Sequence, residues 1–164
     1  MKRFRVNLLV LFIATLVPAK GQLLWPRTEA GQTVEEVQQR FPEAHAPESP
    51  AGLPRGRGVE LLVLDSVAIA DRAFTVRFFF KDRLLVQVLL ETTGQISFKD
   101  FEKYRDLLRR KYELERSTVN GDHLLVTWKV GQTTLTLAWT PKGRDIATLT
   151  ITYDAPIAKT TDLL

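Results

Sequence analysis

The sequence predicts an α+β fold built of two αβββ repeats, with antiparallel sheets and helices packed on one face. Three observations carry this expectation. Two capping boxes, Thr33 with Glu36 and Ser97 with Asp100, each open a stretch of helical apolar spacing. Each of those stretches is followed by three strand-like runs separated by turn-length gaps. The 164 residues contain no cysteine, so the fold rests on a hydrophobic core and not on crosslinks.

The chain opens with Lys2, Arg3 and Arg5, continues with an apolar run over 6–17 broken only by Asn7 and Thr15, and reaches Val17-Pro18-Ala19. A basic start, a short greasy core and small residues at the end form the pattern of a secretory signal peptide, cleaved after Ala19 or alternatively after Gly21. The run is shorter than the roughly 20 residues a membrane-spanning helix needs, which favours cleavage over retention as an anchor. Those first residues hold three of the 23 basic side chains, so 20 remain beside 19 acidic ones. A balanced mixture of this kind does not point to nucleic acid, which selects a clustered basic face. The expected location is therefore the periplasm or beyond, with no stable membrane insertion after cleavage. Residues 20–154 are expected to form one domain, with halves at about 28–91 and 95–154, and residues 155–164 a loose tail.

In the first half, Val34, Val37 and Phe41 fall on one helical stripe after the Thr33 cap, and Pro42 stops the helix. The segment 42–58 is rich in proline and glycine and poor in large apolar residues, which predicts a long loop, disordered or functional. Strands are expected at 59–69, 73–81 and 84–91, with Ala70-Asp71-Arg72 and Asp82-Arg83 as hairpin turns. In the second half, Phe98, Phe101, Tyr104, Leu108 and Tyr112 predict the buried stripe of a helix, and Ile96 staples onto Phe101 across the cap. Strands follow at 123–130, 133–140 and 144–154. The order repeats, although residue identity between the halves is low, and two unrelated αβββ stretches lying side by side remain an alternative.

The entry Gly31-Gln32-Thr33-Val34-Glu35-Glu36-Val37, with Phe41-Pro42 behind it, resembles the Gly-x-Thr/Ser-x-x-x-Val helix entry of the SmpA/OmlA (BamE-like) envelope proteins. The doubled helix-plus-meander order is similar to that of the beta-lactamase inhibitory proteins. The resemblance implies an envelope protein that acts by contact with another protein.

Catalytic chemistry finds little foothold in the residues. His45 lies in the proline-rich loop and His123 at a strand start, and no Gly-x-Ser-x-Gly elbow surrounds Ser49, Ser66, Ser97 or Ser117. Glu43, His45 and Glu48 are the nearest approach to a metal-ligand set, and Arg55-Gly56-Arg57-Gly58 lacks the lysine of a phosphate loop. No cofactor is expected. Asp65, Asp71, Asp82 and Asp100 could supply a carboxylate pair only if the fold gathers them, and turn and capping duties are the simpler reading. Arg109-Arg110-Lys111 suits the negative end of a helix dipole. Trp128, Trp139 and Tyr153 read as core residues.

Strand alternation places Arg77, Phe79, Gln87, Leu89, Thr127, Lys129, Thr134, Thr136, Thr148, Thr150 and Thr152 on the sheet face turned away from the helices. The partner-binding candidates are Arg77, Phe79, Gln87, Leu89, Thr127, Lys129, Thr136 and Thr150. An idle solvated face, or cover from the 42–58 loop over Phe79 and Leu89, are the competing readings. The function expected is non-catalytic binding of another protein or envelope component through this open face, with another envelope protein as the expected partner. The alternative is a small-ligand carrier or a hydrolase with a carboxylate-based pocket.

Overall fold

The computed structural model describes residues 25–112, 115–120, 123–144 and 146–156. The expected signal peptide and the tail beyond Pro156 lie outside the described residues. The elements in chain order are α1 (Val34–Arg40), a 3-10 turn (Pro54–Gly56), β1 (Val59–Ile69), β2 (Arg72–Lys81), β3 (Leu84–Gly94), α2 (Phe98–Lys111), β4 (Glu115–Asn120), β5 (His123–Val130), β6 (Thr133–Pro141) and β7 (Ala147–Asp154).

The two αβββ repeats with their own sheets do not form. The described residues make one seven-stranded sheet in the order β1-β2-β3-β7-β6-β5-β4, antiparallel throughout, and are mostly β. Two facts overturn the repeat. β3 and β7 pair from Gln87↔Asp154 to Gly94↔Ala147, which fuses the two meanders and removes two free edges. The second half also carries a fourth strand, β4, paired with β5 from Glu115↔Trp128 to Asn120↔His123. The β4 sequence Glu-Arg-Ser-Thr-Val-Asn has a single apolar residue, so no alternation marked it as a strand.

Local chemistry explains the helices. Thr33 accepts from the Glu36 N–H at 3.2 Å while the Glu36 carboxylate accepts from the Thr33 N–H at 2.8 Å, and Ser97 and Asp100 make the same reciprocal pair. Phe41 caps the C-terminus of α1, and Pro42 cannot continue it. Asp82 and Arg83 both have positive φ, as a two-residue hairpin turn between right-twisted strands requires.

One face of the sheet carries the core. Leu62, Phe78, Val88, Tyr153, Leu135 and Trp128 stand in one cross-strand row, and Leu64, Val76, Leu90, Ile151, Leu137 and Val126 in the next. Most of these are fully buried, each stabilising by about 1.5–3 kcal/mol. Phe41 stacks within 5.4 Å of Trp25 and 5.6 Å of Phe78, which ties α1 to β2. Tyr104 meets Phe74 edge-on at 5.5 Å and donates its hydroxyl to the Ile69 carbonyl at 2.7 Å, which ties α2 to the end of β1. Phe98, expected in the buried stripe of α2, is instead 50% exposed, because as the first helical residue it stacks on Phe101 outside the core.

The proline-rich segment is laid along the edge of β1. His45 and Val63 exchange two backbone hydrogen bonds at 2.8–2.9 Å, and the Glu60 N–H donates to the Ala51 carbonyl at 2.8 Å. Prolines cannot donate, but His45, Ala51 and Leu53 between them can, and the edge they cover would otherwise present unpaired backbone groups. Ala155, expected to begin the loose tail, is tied to the sheet instead: its N–H donates to the Val86 carbonyl at 2.9 Å.

Candidate functional site

The face opposite the core brings the eight sequence candidates together by register. Arg77, Leu89, Thr152, Thr136 and Thr127 form one row across five strands, and Phe79, Gln87, Asp154, Thr134 and Lys129 form the row beside it. Thr150 stands one row further on, opposite Glu91 and Ala138.

The two ends of this face differ. At the β1–β3 end Phe79, Gln87, Val63 and Glu60 are buried. Glu60 is a fully buried carboxylate that accepts from Arg77 Nη1 at 2.8 Å and from the Ala51 N–H at 3.0 Å. It therefore joins the loop to the sheet, and its hydrogen bond raises the pKa of the Arg77 guanidinium above the ordinary value. Phe79, Gln87 and Arg77 are thus largely spent on the fold. Of the β1–β3 candidates Leu89 and Arg77 keep half-buried, accessible side chains, and that of Arg77 is tied to Glu60.

From β7 to β5 the same rows stay open to solvent: Lys129 is exposed, and Thr127, Thr134, Thr136, Thr150 and Thr152 are half-buried. Hydroxyls dominate here. Thr93 and Thr148 share a hydrogen bond at 3.2 Å, Lys129 Nζ donates to Thr134 Oγ1, and His123 Nδ1 lies 3.2 Å from Thr140 Oγ1. Asp154, at the boundary between the covered and open ends, has its carboxyl pushed up by burial, with Arg57 and Lys129 acting in the opposite direction. Such a surface offers many neutral donors and acceptors and few charges.

The groups weighed for catalysis are dispersed. Both ring nitrogens of His45 are engaged, Nε2 with Asp65 at 2.9 Å and Nδ1 with the Ala46 carbonyl at 3.0 Å, so the ring has no nitrogen left to take a proton from a nucleophile. Asp71 pairs with Lys103 at 2.9 Å, which holds its carboxyl low, and Asp100 pairs with Arg72 at 3.0 Å. Burial pushes the Asp100 carboxyl up, but Ser97 and Arg72 outweigh it. Glu43, His45 and Glu48 do not gather: among the described residues no three metal-ligating side chains cluster.

Hollows indent the surface among the described residues. One, of about 900 Å³, is an open-sided cleft between the start of α2 and the β6–β7 hairpin, lined by Ile96, Ser97, Leu124, Trp139, Arg144 and Ile146 among others. A second of about 380 Å³ holds Leu53, Arg57, Gln87 and Asp154 where the loop meets β3, and a third of about 340 Å³ lies against Arg77 and Glu91. Sequence reasoning missed Glu60, whose only signal was a carboxylate set among the apolar residues that open β1, and it missed the large cleft. Trp139 was expected in the core, yet it is half-buried, with its Nε1–H donated to the Ile96 carbonyl at 3.2 Å. No family model, curated protein or solved structure matches the chain.

Proposed function

We propose that this is an exported, non-catalytic binding protein of the bacterial envelope that contacts another envelope protein through the open β5–β7 half of its sheet. The observation that carries the reading is the contrast between the two ends of one face. The proline-rich loop covers the β1–β3 end, while the threonine rows of β5–β7 and the Lys129 side chain stay accessible. Threonine rows on a flat sheet present hydrogen-bonding groups at little side-chain entropy cost, which suits recognition of a polar protein surface.

The envelope setting rests on the basic and apolar pattern of residues 1–19, and contact with a protein is also what the BamE-like helix entry implies. Against a carboxylate hydrolase stands the use of Asp65, Asp71 and Asp100 in ion pairs that fasten the loop and α2 to the sheet.

The test is crosslinking in the native host with the wild type and with a Thr127→Arg, Thr136→Arg, Thr150→Arg triple variant. A partner band captured by the wild type and lost in the variant, with unchanged melting temperature, supports the reading. Equal capture by both removes the open face from the interaction. Mass spectrometry of the mature protein checks the setting: a chain beginning at Lys20 or Gln22 is expected, and an intact Met1 in the cytosol would refute export.

A further inference from the structure

We propose that the 900 Å³ cleft beside α2 is a site for a small amphiphilic carboxylate, a fatty-acid-like molecule whose chain lies on Leu124, Trp139 and Ile146 and whose head pairs with Arg144. The cleft opens on the helix side of the sheet, so the inference is independent of the open-face reading. Its size falls in the range of small-molecule sites, roughly 300–1,000 Å³.

The chemistry of the walls selects the ligand. Ile146 is 50% exposed, a large apolar residue left uncovered at the cleft. The Trp139 Nε1–H is already given to the Ile96 carbonyl, so its ring offers the cleft an apolar face and no donor. Ser97 is likewise committed, its hydroxyl donating to Asp100 Oδ2 at 2.8 Å while accepting from the Asp100 N–H. What remains is an apolar surface with the neutral amide of exposed Gln95 and one charged group, Arg144, which is exposed and has no ion-pair partner among the described residues. Lys142 beside it in the hairpin is exposed as well. No described residue lining the cleft is acidic, and Asp145 lies outside the described residues. An apolar body with an anionic end complements this arrangement, whereas a cationic ligand does not.

Trp25 and Trp128 are buried, so Trp139 is the indole that a molecule in the cleft would touch. The purified protein is titrated with decanoate below its micellar concentration, following tryptophan emission and heat. Decanol and decyltrimethylammonium serve as neutral and cationic counterparts. Saturable one-to-one decanoate binding is expected. Arg144→Gln should weaken it roughly tenfold while leaving decanol unaffected, and Ile146→Asp should abolish both. Both residues are exposed, so circular dichroism should report unchanged folding. No saturable decanoate binding, equal affinity in Arg144→Gln, or decyltrimethylammonium binding as tight as decanoate would overturn the proposal.

Discussion

Replacing Arg77 by Met tests how the proline-rich loop is held, because it strands one buried charge. The Glu60 side chain is fully buried while Arg77 is 33% exposed, so the two partners of this ion pair are not equivalent. In Arg77→Met the Glu60 carboxylate stays buried with the Ala51 N–H as its remaining recorded donor, a loss of about 3–5 kcal/mol. In Glu60→Gln the amide oxygen can still accept from Ala51. Arg77 then turns to water and to Glu91, 3.7 Å away, at a cost of about 1–2 kcal/mol. The double variant removes both charges and should recover much of the Arg77→Met loss, giving a coupling energy of about 1–3 kcal/mol.

Urea unfolding of the four proteins measures these quantities. Amide exchange at Ala51 and Glu60 reports whether the loop lifts from β1 before the sheet opens. Equal losses in the two single variants, or losses below about 1 kcal/mol in both, would show that the burial asymmetry does not govern the pair. Preserved protection of the Glu60 N–H, which donates to the Ala51 carbonyl, in Arg77→Met would show that the loop stays on β1 without the Arg77 charge.

Other perturbations follow from the same contacts. Burial, with Asp71 assisting, pushes the Tyr104 hydroxyl up to about 12, so the folded state keeps a proton that the unfolded chain releases near pH 10. Stability should fall as pH rises from about 10 towards 12, and Tyr104→Phe should reduce that fall, leaving the part due to Tyr153, whose hydroxyl burial also pushes up, while costing about 1–2 kcal/mol at neutral pH, where the Ile69 carbonyl loses its donor. The Asp65 hydrogen bond raises the His45 pKa, which stabilises the folded form below about pH 6.5 and ceases to do so as pH rises through the folded value. Proton NMR should therefore show His45 titrating lower in Asp65→Asn, and an identical titration would refute the pairing. A Cβ added at Gly58 would lie 3.1 Å from both the Phe80 carbonyl oxygen and Val86 Cγ2, so Gly58→Ala should cost about 1–3 kcal/mol. Gly52→Ala, which meets nothing within 4 Å, is the control, and equal melting temperatures would exclude the clash.

What the sequence by itself determined is local. The two capping boxes, the stop at Pro42, the Asp82-Arg83 turn and the period-two alternation that sorts Arg77, Leu89, Thr127 and Thr136 onto one face are all written within a few residues of where they act. What only the tertiary structure decided is which surfaces meet. Alternation says that β3 and β7 each have two faces, but nothing in either strand names the other as its neighbour, so one sheet was read as two repeats. Proline and glycine spacing says that 42–58 is no regular element, but not that its few free N–H groups find the β1 edge. The same limit separates the candidate residues. Phe79 and Gln87 differ from Thr127 and Thr136 in what lies above them and not in their strand pattern, because burial is a property of the packed neighbours while alternation is a property of the chain.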